Sequence, residues 1–179
     1  MIHIKLPDNS VRSFDHPLTA GDVAAHISPS LLKEALVARV DDNLVDLSHS
    51  ITKDSTVEII TRKHLDALEI IRHDTTHLLA EAAKELYGKD IQITIGPAIE
   101  NDFYYDIAKE HPFSPEDLEA LEQKMREIVD RNEPFIREEW AWDEAIGEHY
   151  KTEIVSLYRQ GDFLDLCRGT LYGQSRQSL

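Results

Sequence analysis

Residues 66–88 read DALEIIRHDTTHLLAEAAKELYG and decide how the second half of the chain folds. Apolar residues recur in this stretch at the three- and four-residue spacing of an amphipathic helix. The stripe consists of Leu68, Ile71, Leu78, Leu79, Ala82 and Leu86. Gly88 follows, and glycine in the left-handed conformation commonly ends a helix. The stretch therefore predicts one long helix over 66–87 that packs its apolar stripe against a core.

The chain before this helix has the pattern of short strands. Residues 2–6 and 11–14 alternate on either side of a Pro-Asp-Asn-Ser turn, which predicts a hairpin. Thr19 is placed to cap a short helix over 21–27, and Pro29 ends that helix. Further short strands are predicted over 35–40, 44–46 and 56–60. The pattern is typical of a small β-grasp unit with one packed helix.

The chain after the long helix alternates strands with one more helix. Residues 91–95 and the aromatic stretch 102–107 each predict a strand. Ser114 caps a helix over 115–131 that we expect to pack on the sheet. A last strand is predicted over 162–167. The fold class is therefore α+β, in two units.

Composition and charge narrow the class of protein. The 179 residues are 41% hydrophobic and 30% charged, which is an ordinary globular composition. No apolar run approaches the roughly 20 residues that cross a bilayer, and the first residues lack the apolar stretch of a signal peptide. We therefore expect a cytoplasmic protein that does not bind a membrane.

The acidic residues are concentrated in the second unit. The net charge is −15, of which −2 lies in residues 1–63 and −13 in residues 64–179. Independent tight binding of nucleic acid needs clustered lysine and arginine, so the acidity argues against it. The last twelve residues, 168–179, contain no acid and do not resemble the rest of the chain.

Two histidines lie four positions apart in the long helix. His73 and His77 project from the same face, as two metal ligands or an acid/base pair would need. That face lies opposite the apolar stripe and is shared with Ala80 and Lys84. The simplest interpretation of the spacing is a pair of solvent-exposed histidines, and the two functional interpretations stand beside it.

Cys167 is the one cysteine, so the chain has no internal disulfide. The thiol could be a nucleophile, a metal ligand or a small buried side chain. His73, His77 and Cys167 together would supply three zinc ligands and leave the fourth position for a water, the arrangement of hydrolytic zinc. Without metal, a neutral histidine can act as general base on the same water.

Four separated motifs resemble the amino-terminal half of bacterial threonyl-tRNA synthetases. They are residues 68–82, 95–106, Tyr150-Lys151 and 165–169, and they occur in the family's order. The resemblance covers residues 1 to about 169. It implies a ubiquitin-like β-grasp TGS domain over 1–62, an incomplete α+β editing domain over 63–169, and a divergent tail over 170–179.

The resemblance also implies an activity and its residues. The editing domain of this family hydrolyses Ser-tRNA(Thr) and is related to the editing domains of alanyl-tRNA synthetase. Such a second sieve is needed because one missing methyl group supplies only about 10- to 200-fold discrimination. The implied site consists of His73, His77, Lys151, Asp165 and Cys167, with Tyr104 lining the substrate pocket.

Each implied residue has an expected role. His73 and His77 would position or activate the attacking water, and Lys151 would stabilise charge or hold the tRNA end. Asp165 and Cys167 would close the cleft. The alanyl relatives bind zinc through a histidine pair with a further cysteine and histidine, whereas the familiar zinc of threonyl enzymes lies in the synthetase core. Zinc held by His73, His77 and Cys167 is thus an expectation to test.

The sequence departs from the family's pattern in two places. Leu171 stands where the family has a histidine four residues after the cysteine. The connection from Lys151 to Cys167 is also shorter, as if a loop were missing between Val155 and Ser156, which could misplace the thiol. The resemblance stops before the family's class II core and anticodon-binding domain, so we expect ATP, magnesium, ligase activity and the family's homodimer only in the full-length proteins.

Three functions are therefore compatible with the sequence. The leading one is part of a threonyl-tRNA synthetase whose domains here contact the acceptor end of tRNA(Thr), weakly in isolation, and hydrolyse Ser-tRNA(Thr). The second is a freestanding deacylase that edits in trans. The third is an inactive remnant or a regulatory module that binds tRNA or protein, and Leu171 favours it.

Overall fold

The computed structural model describes residues 1–88, 91–93, 103–142 and 154–167. The chain divides into two compact units, the first over Met1–Leu68 and the second beginning at Glu69. Within the described residues, no helix combines the length and the apolar content needed to span a bilayer.

The first unit is a mixed sheet with one well-packed helix. Its elements are β1 (Ile2–Lys5), β2 (Val11–Phe14), β3 (Leu18–Thr19), α1 (Ala20–Ile27), α2 (Pro29–Glu34), β4 (Ala35–Val40), β5 (Asn43–Val45), β6 (Ser50–Ile51) and β7 (Ser55–Thr61). The five-stranded sheet has the order β2-β1-β7-β4-β5. Strands β1 and β7 are parallel, and the other neighbours are antiparallel. This topology confirms the predicted β-grasp unit.

Local sequence explains the helices of this unit. Thr19 caps α1 in a reciprocal capping box: its hydroxyl accepts the Asp22 N–H at 3.1 Å, and the Asp22 carboxylate accepts the Thr19 N–H at 2.8 Å. Pro29 was expected only to end this helix. It also occupies the first turn of α2, where its missing N–H has no helical partner to lose, and Ser28 caps that second helix.

The second unit combines two helices with five strands among the described residues. Its elements are α3 (Ala67–Tyr87), β8 (Ile91–Ile93), β9 (Ile107–Lys109), α4 (Pro115–Arg131), β10 (Ile136–Ala141), β11 (Ile154–Gln160) and β12 (Phe163–Leu166). Strands β8 and β9 form one antiparallel pair, and β10-β11-β12 form a three-stranded antiparallel sheet. The α+β class is confirmed for this part of the chain.

The core of the second unit lies between the two helices and β8. Helix α4 begins at the predicted cap, Ser114, and ends at Asn132 in the left-handed conformation. The core's buried members are Leu78, Ala82, Ala83, Ile91, Leu121, Ile128 and Val129. Helix α4 thus packs on α3 and on the strand that follows it.

The predicted stripe of α3 is wrong at its two ends. Leu68 is 54% exposed and Leu86 37% exposed, whereas Leu78 and Ala82 are buried. The helix also buries polar residues outside the stripe, because α3 is covered on more than one side. A single amphipathic stripe therefore describes only its contact with the central core.

Two strands of the three-stranded sheet were not predicted. Strand β10 has the sequence IREEWA and keeps most of its side chains exposed. Its charged residues interrupt the alternation of apolar and polar residues by which a strand is recognised. Strand β11 passes through Val155 and Ser156 without interruption, at the point where a missing loop was expected. The aromatic strand predicted over 102–107 is also wrong within the described residues: β9 starts at Ile107, and 104–106 have no regular structure.

A two-residue turn joins β11 to β12. Gln160 pairs with Phe163 across Gly161 and Asp162, which is the shortest common hairpin connection. Gly161 has a φ of +54°, and a Cβ at this position would lie 2.8 Å from Oε2 of Glu133. Both the backbone conformation and the close carboxylate therefore favour glycine here.

Candidate active site

Helix α3 presents two imidazole rings from one face. The centroids of His73 and His77 lie 5.0 Å apart, with the ring planes at 82°. His77 is only 5% exposed, and His73 is partly exposed. Since one helical turn separates them, the spacing that suggested a shared face in the sequence produces a true pair in the fold.

Strand β12 and the residue directly after it bring a carboxylate and a thiol to the same rings. Asp165 and Cys167 are two positions apart, so an extended chain directs both to one side. Asp165 Oδ2 lies 2.7 Å from Nδ1 of His77, and Cys167 Sγ lies 3.1 Å from Nε2 of His73. The Cys167 N–H donates to the carbonyl of Ser156 at 3.1 Å, which holds the thiol at the end of the sheet.

These contacts change the protonation of the site. Burial acts to lower the pKa of His77, but hydrogen bonds with Asp165 and Cys167 outweigh it and raise this pKa to about 9. Burial likewise acts to raise the pKa of Cys167, but hydrogen bonds with His73 and His77 outweigh it and lower this pKa to about 6. At neutral pH the site thus contains an imidazolium and a thiolate, each stabilised by the other's charge.

The interpretation of the pair as solvent-exposed histidines is wrong for His77. Its side chain lies under the end of β12, on the face of α3 that the sequence pattern had assigned to solvent. Cys167 is 6% exposed, so its thiol is buried and is also hydrogen-bonded to His73. The expected displacement of Cys167 by the short connection is not observed.

Two predicted site residues remain, Tyr104 and Lys151, and the structure describes only Tyr104. Tyr104 is 50% exposed, and among the described residues no hydrogen bond or ring contact joins it to the cluster. Lys151 lies outside the described residues. The predicted roles of both stay predictions.

Tyr105 is a neighbour of the site that sequence reasoning missed. Burial, followed by the charges of Asp165 and Cys167, raises the pKa of its phenol. The phenol is therefore partly enclosed and lies within electrostatic range of the cluster. Exposure alternates along residues 103–107, so Tyr104 and Tyr105 lie on opposite sides of the chain. The same alternation, read from the sequence, could have indicated that only one of the two tyrosines faces the site.

The same side chains form a plausible metal donor set. The ligand atoms of His73, His77 and Cys167 all lie within 4.8 Å of one another. Zinc bonds nitrogen at about 2.0–2.1 Å and sulfur at about 2.3 Å in a tetrahedron, so small movements of these side chains would accommodate the ion. Two imidazoles and a thiolate are also donors that zinc favours. The residues present therefore fit zinc as three ligands.

With this geometry established, comparison with known proteins identifies the first unit. Residues 2–61 match the family model of the TGS domain. The first unit is a TGS domain. The β-grasp sheet described above is the expected structure of this domain. The match ends at residue 61, so it says nothing about the second unit.

The chain as a whole is similar to threonine–tRNA ligases. It is 54% identical to the enzyme of Azoarcus sp. strain BH72, 53% to that of Rickettsia akari and 51% to that of Rhodospirillum rubrum. Each match spans 184 residues and covers 94% of this chain but only 28–29% of the relative. The chain thus spans less than a third of the length of these relatives. Because 184 residues exceed the part of this chain that is matched, the relatives contain residues in this stretch that the chain lacks.

Proposed function

We propose that the second unit hydrolyses the ester bond of Ser-tRNA(Thr). The observation that carries the proposal is the cluster of His73, His77, Asp165 and Cys167, in which two hydrogen-bonded pairs from α3 and β12 meet. The similarity to threonine–tRNA ligases over 94% of the chain and the TGS domain support a tRNA substrate. The proposed tRNA substrate also favours the cytoplasm as the location of the protein.

The cluster supplies the groups that ester hydrolysis requires. His73 takes a proton from a water molecule, whose oxygen attacks the ester carbonyl carbon. Cys167 holds the His73 ring through the 3.1 Å contact. The bond from the carbonyl carbon to the ribose oxygen then breaks, and that oxygen receives the proton from His73. The products are serine and tRNA with a free hydroxyl.

His77 contributes a positive charge to the cluster. Its raised pKa keeps the ring protonated at neutral pH, and Asp165 fixes its orientation. The His77 cation stabilises the Cys167 thiolate, which holds the His73 ring for proton transfer. Lys151 and Tyr104 are proposed to contact the tRNA end and the amino acid, as the family resemblance implies.

A zinc-loaded form of the site is the second arrangement that the geometry supports. His73, His77 and Cys167 would hold the ion, and the ion would make a bound water more acidic. Asp165 would then orient His77 from behind, the usual role of a carboxylate beside a ligating imidazole. Metal analysis of protein purified without chelators tests this form: it predicts one zinc per chain, lost in Cys167→Ser, and sub-stoichiometric zinc would argue against it.

The decisive experiment is deacylation of Ser-tRNA(Thr) by the whole chain. We expect hydrolysis above the buffer rate, reduced about 10²- to 10⁴-fold in His73→Ala because a general base is lost. His111→Ala is the matched control, since this histidine is exposed in the same unit and should leave the rate unchanged. Hydrolysis no faster than buffer by a folded protein would refute the proposal for this chain.

A binding module without chemistry is the alternative that Leu171 favours. Leu171 lies outside the described residues and replaces the histidine of the family's motif. This alternative predicts a folded but inactive chain that gains deacylation in Leu171→His. If the wild-type chain already hydrolyses Ser-tRNA(Thr), the fourth histidine is not required and the alternative fails.

A further inference from the structure

A cavity of about 360 Å³ in the second unit shares no lining residue with the histidine–cysteine cluster. Helix α3, the end of α4 with the residues after it, and the β11–β12 turn line it on its protein side. Four carboxylates line the cavity: Glu81, Glu85, Glu133 and Asp162. Two basic side chains, Lys84 and Arg131, accompany them.

The bases do not neutralise this group of carboxylates. Arg131 binds Glu85 through both nitrogens, Nη1 to Oε1 at 2.5 Å and Nη2 to Oε2 at 2.7 Å. The same Nη1 is 3.7 Å from Oε1 of Glu81, beyond hydrogen-bonding distance. Lys84 Nζ donates to the carbonyl of Ile91 at 3.4 Å. The cavity therefore has an excess of negative charge.

Glu81 is the feature that indicates a ligand. Its side chain is 2% exposed, yet Oε2 has no hydrogen-bond partner among the described residues. Gln160, directly before the turn that lines the cavity, is 1% exposed and its Oε1 also lacks a partner. Both orphan atoms are acceptors, and an unsatisfied buried acceptor is costly. What would complete this region is a hydrogen-bond donor.

The size of the cavity indicates whether a bare metal ion or a larger cation would fit. Its volume is about ten times the roughly 30 Å³ that one water molecule occupies in the liquid. Within the described part of the chain, the histidine–cysteine cluster is the only set of three candidate ligands with donor atoms so close together. The described carboxylates of the cavity do not form such a set, so a larger cation fits better than one bare metal ion.

We propose that this cavity binds an organic cation that carries a primary ammonium group on a short aliphatic chain. Oε2 of Glu81 accepts a hydrogen bond from the ammonium group, and the carboxylates of Glu133 and Asp162 contribute charge. Phe163 provides an apolar wall for the alkyl chain. The site is independent of the proposed hydrolysis, because none of the catalytic side chains takes part.

The raised pKa of Glu81 is consistent with a cation-binding role for the cavity. Burial, and then the neighbouring Glu85, raise the pKa of Glu81 to about 7. A bound ammonium group would favour the carboxylate and release this proton. Binding should therefore be tighter at pH 8 than at pH 6.

The test is calorimetric titration of the whole chain with 1,4-diaminobutane at pH 8. We expect saturable binding by the diamine, and none by the uncharged analogue 1,4-butanediol or by magnesium chloride. Glu81→Gln removes the charge at constant shape and should weaken binding about tenfold or more, since hydrogen bonds to charged groups are strong. Glu122→Gln, an exposed carboxylate on α4, is the matched control and should bind as the wild type does.

Four results would overturn the proposal. Equal binding of the diol would show a cavity that does not select charge, and competition by magnesium would show a bare-cation site. Unchanged affinity in Glu81→Gln, or no diamine binding at about 10 mM, a concentration that detects even weak complexes, would remove the site altogether. If circular dichroism shows that Glu81→Gln does not fold, Asp162→Asn in the exposed turn replaces it, with the same weakening expected and unchanged affinity again contrary.

Discussion

The two units of this chain bury different kinds of side chain. In the described part of the TGS domain, Ser55 is the one buried polar residue within an aliphatic core. Among the residues of the second unit that the structure describes, the buried polar ones are Asp74, Thr76, His77, Glu81 and Gln160. Because burying polar groups is costly unless they are satisfied, the second unit gives up stability at the positions where it holds charge. The contrast describes the TGS domain as a packed module, and it agrees with the proposal that assigns the chemistry to the second unit.

The largest effect that the comparison predicts comes from Asp165→Asn. An amide cannot stabilise the His77 imidazolium through the 2.7 Å contact as a carboxylate does. We expect Ser-tRNA(Thr) deacylation to fall about a thousandfold while the fold is kept. Single-turnover kinetics with circular dichroism check this. Asp130→Asn, at an exposed position of α4, is the control; equal loss in both variants would contradict a specific role for Asp165.

The next effect concerns the TGS domain, where packing alone should matter. Ile4 is fully buried in β1, so Ile4→Ala leaves a cavity and should reduce the free energy of unfolding by about 3–4 kcal/mol. Chemical denaturation of the chain measures the change. Val11→Ala, at an exposed position of β2, should cost less than about 1 kcal/mol. Similar losses in both would show that the core is loosely packed.

A smaller effect depends on pH and comes from Glu81. Its pKa is raised to about 7, so between the ordinary value near 4.5 and pH 7 the unfolded chain loses this proton while the folded chain keeps it. The contribution of Glu81 to stability therefore decreases as pH rises through that window. Glu81→Gln should be more stable than the wild type above pH 7, by at most about 3 kcal/mol, and nearly equal at pH 4.

Denaturation curves at several pH values test this linkage. Glu122→Gln should keep the pH dependence of the wild type, because this carboxylate is exposed. A Glu81→Gln variant with the wild-type pH dependence would show that another group is responsible.

The smallest effect is expected at the start of α1. Thr19→Ala removes the hydroxyl that accepts the Asp22 N–H at 3.1 Å, and such caps are worth about 1 kcal/mol. Thr19→Ser keeps the hydroxyl and should stay within a few tenths of a kcal/mol of the wild type. Thermal unfolding of the two variants measures the difference. Equal destabilisation would mean that the methyl group, and not the cap, stabilises this turn.

Local rules predicted the local features of the fold. Thr19 and Ser114 begin helices because their hydroxyls satisfy free backbone N–H groups, which is visible in a few residues of sequence. The spacing of His73 and His77 likewise determined that the rings share a face. Each of these predictions depends on contacts within one turn or one helix.

Contacts between distant residues were not predictable from the pattern of residues alone. His77 meets Asp165 across 88 positions, and His73 meets Cys167 across 94. The burial of His77 and Glu81 depends on which elements cover α3, and hydrophobic periodicity does not contain that information. The family resemblance supplied Asp165, whereas Cys167 was already a candidate as the one thiol of the sequence. Neither source indicated the cavity at Glu81.

The tight turn at Gly161 makes the histidine–cysteine cluster sensitive to one-residue changes in the length of the hairpin. Strand β12 alternates Phe163, Leu164, Asp165 and Leu166 across the two faces of the sheet, and the turn fixes which of them face α3. Inserting or deleting one residue in the hairpin would exchange the two sets and direct leucines towards the histidines. Natural or engineered changes of length in this hairpin should therefore be tolerated, if at all, in steps of two.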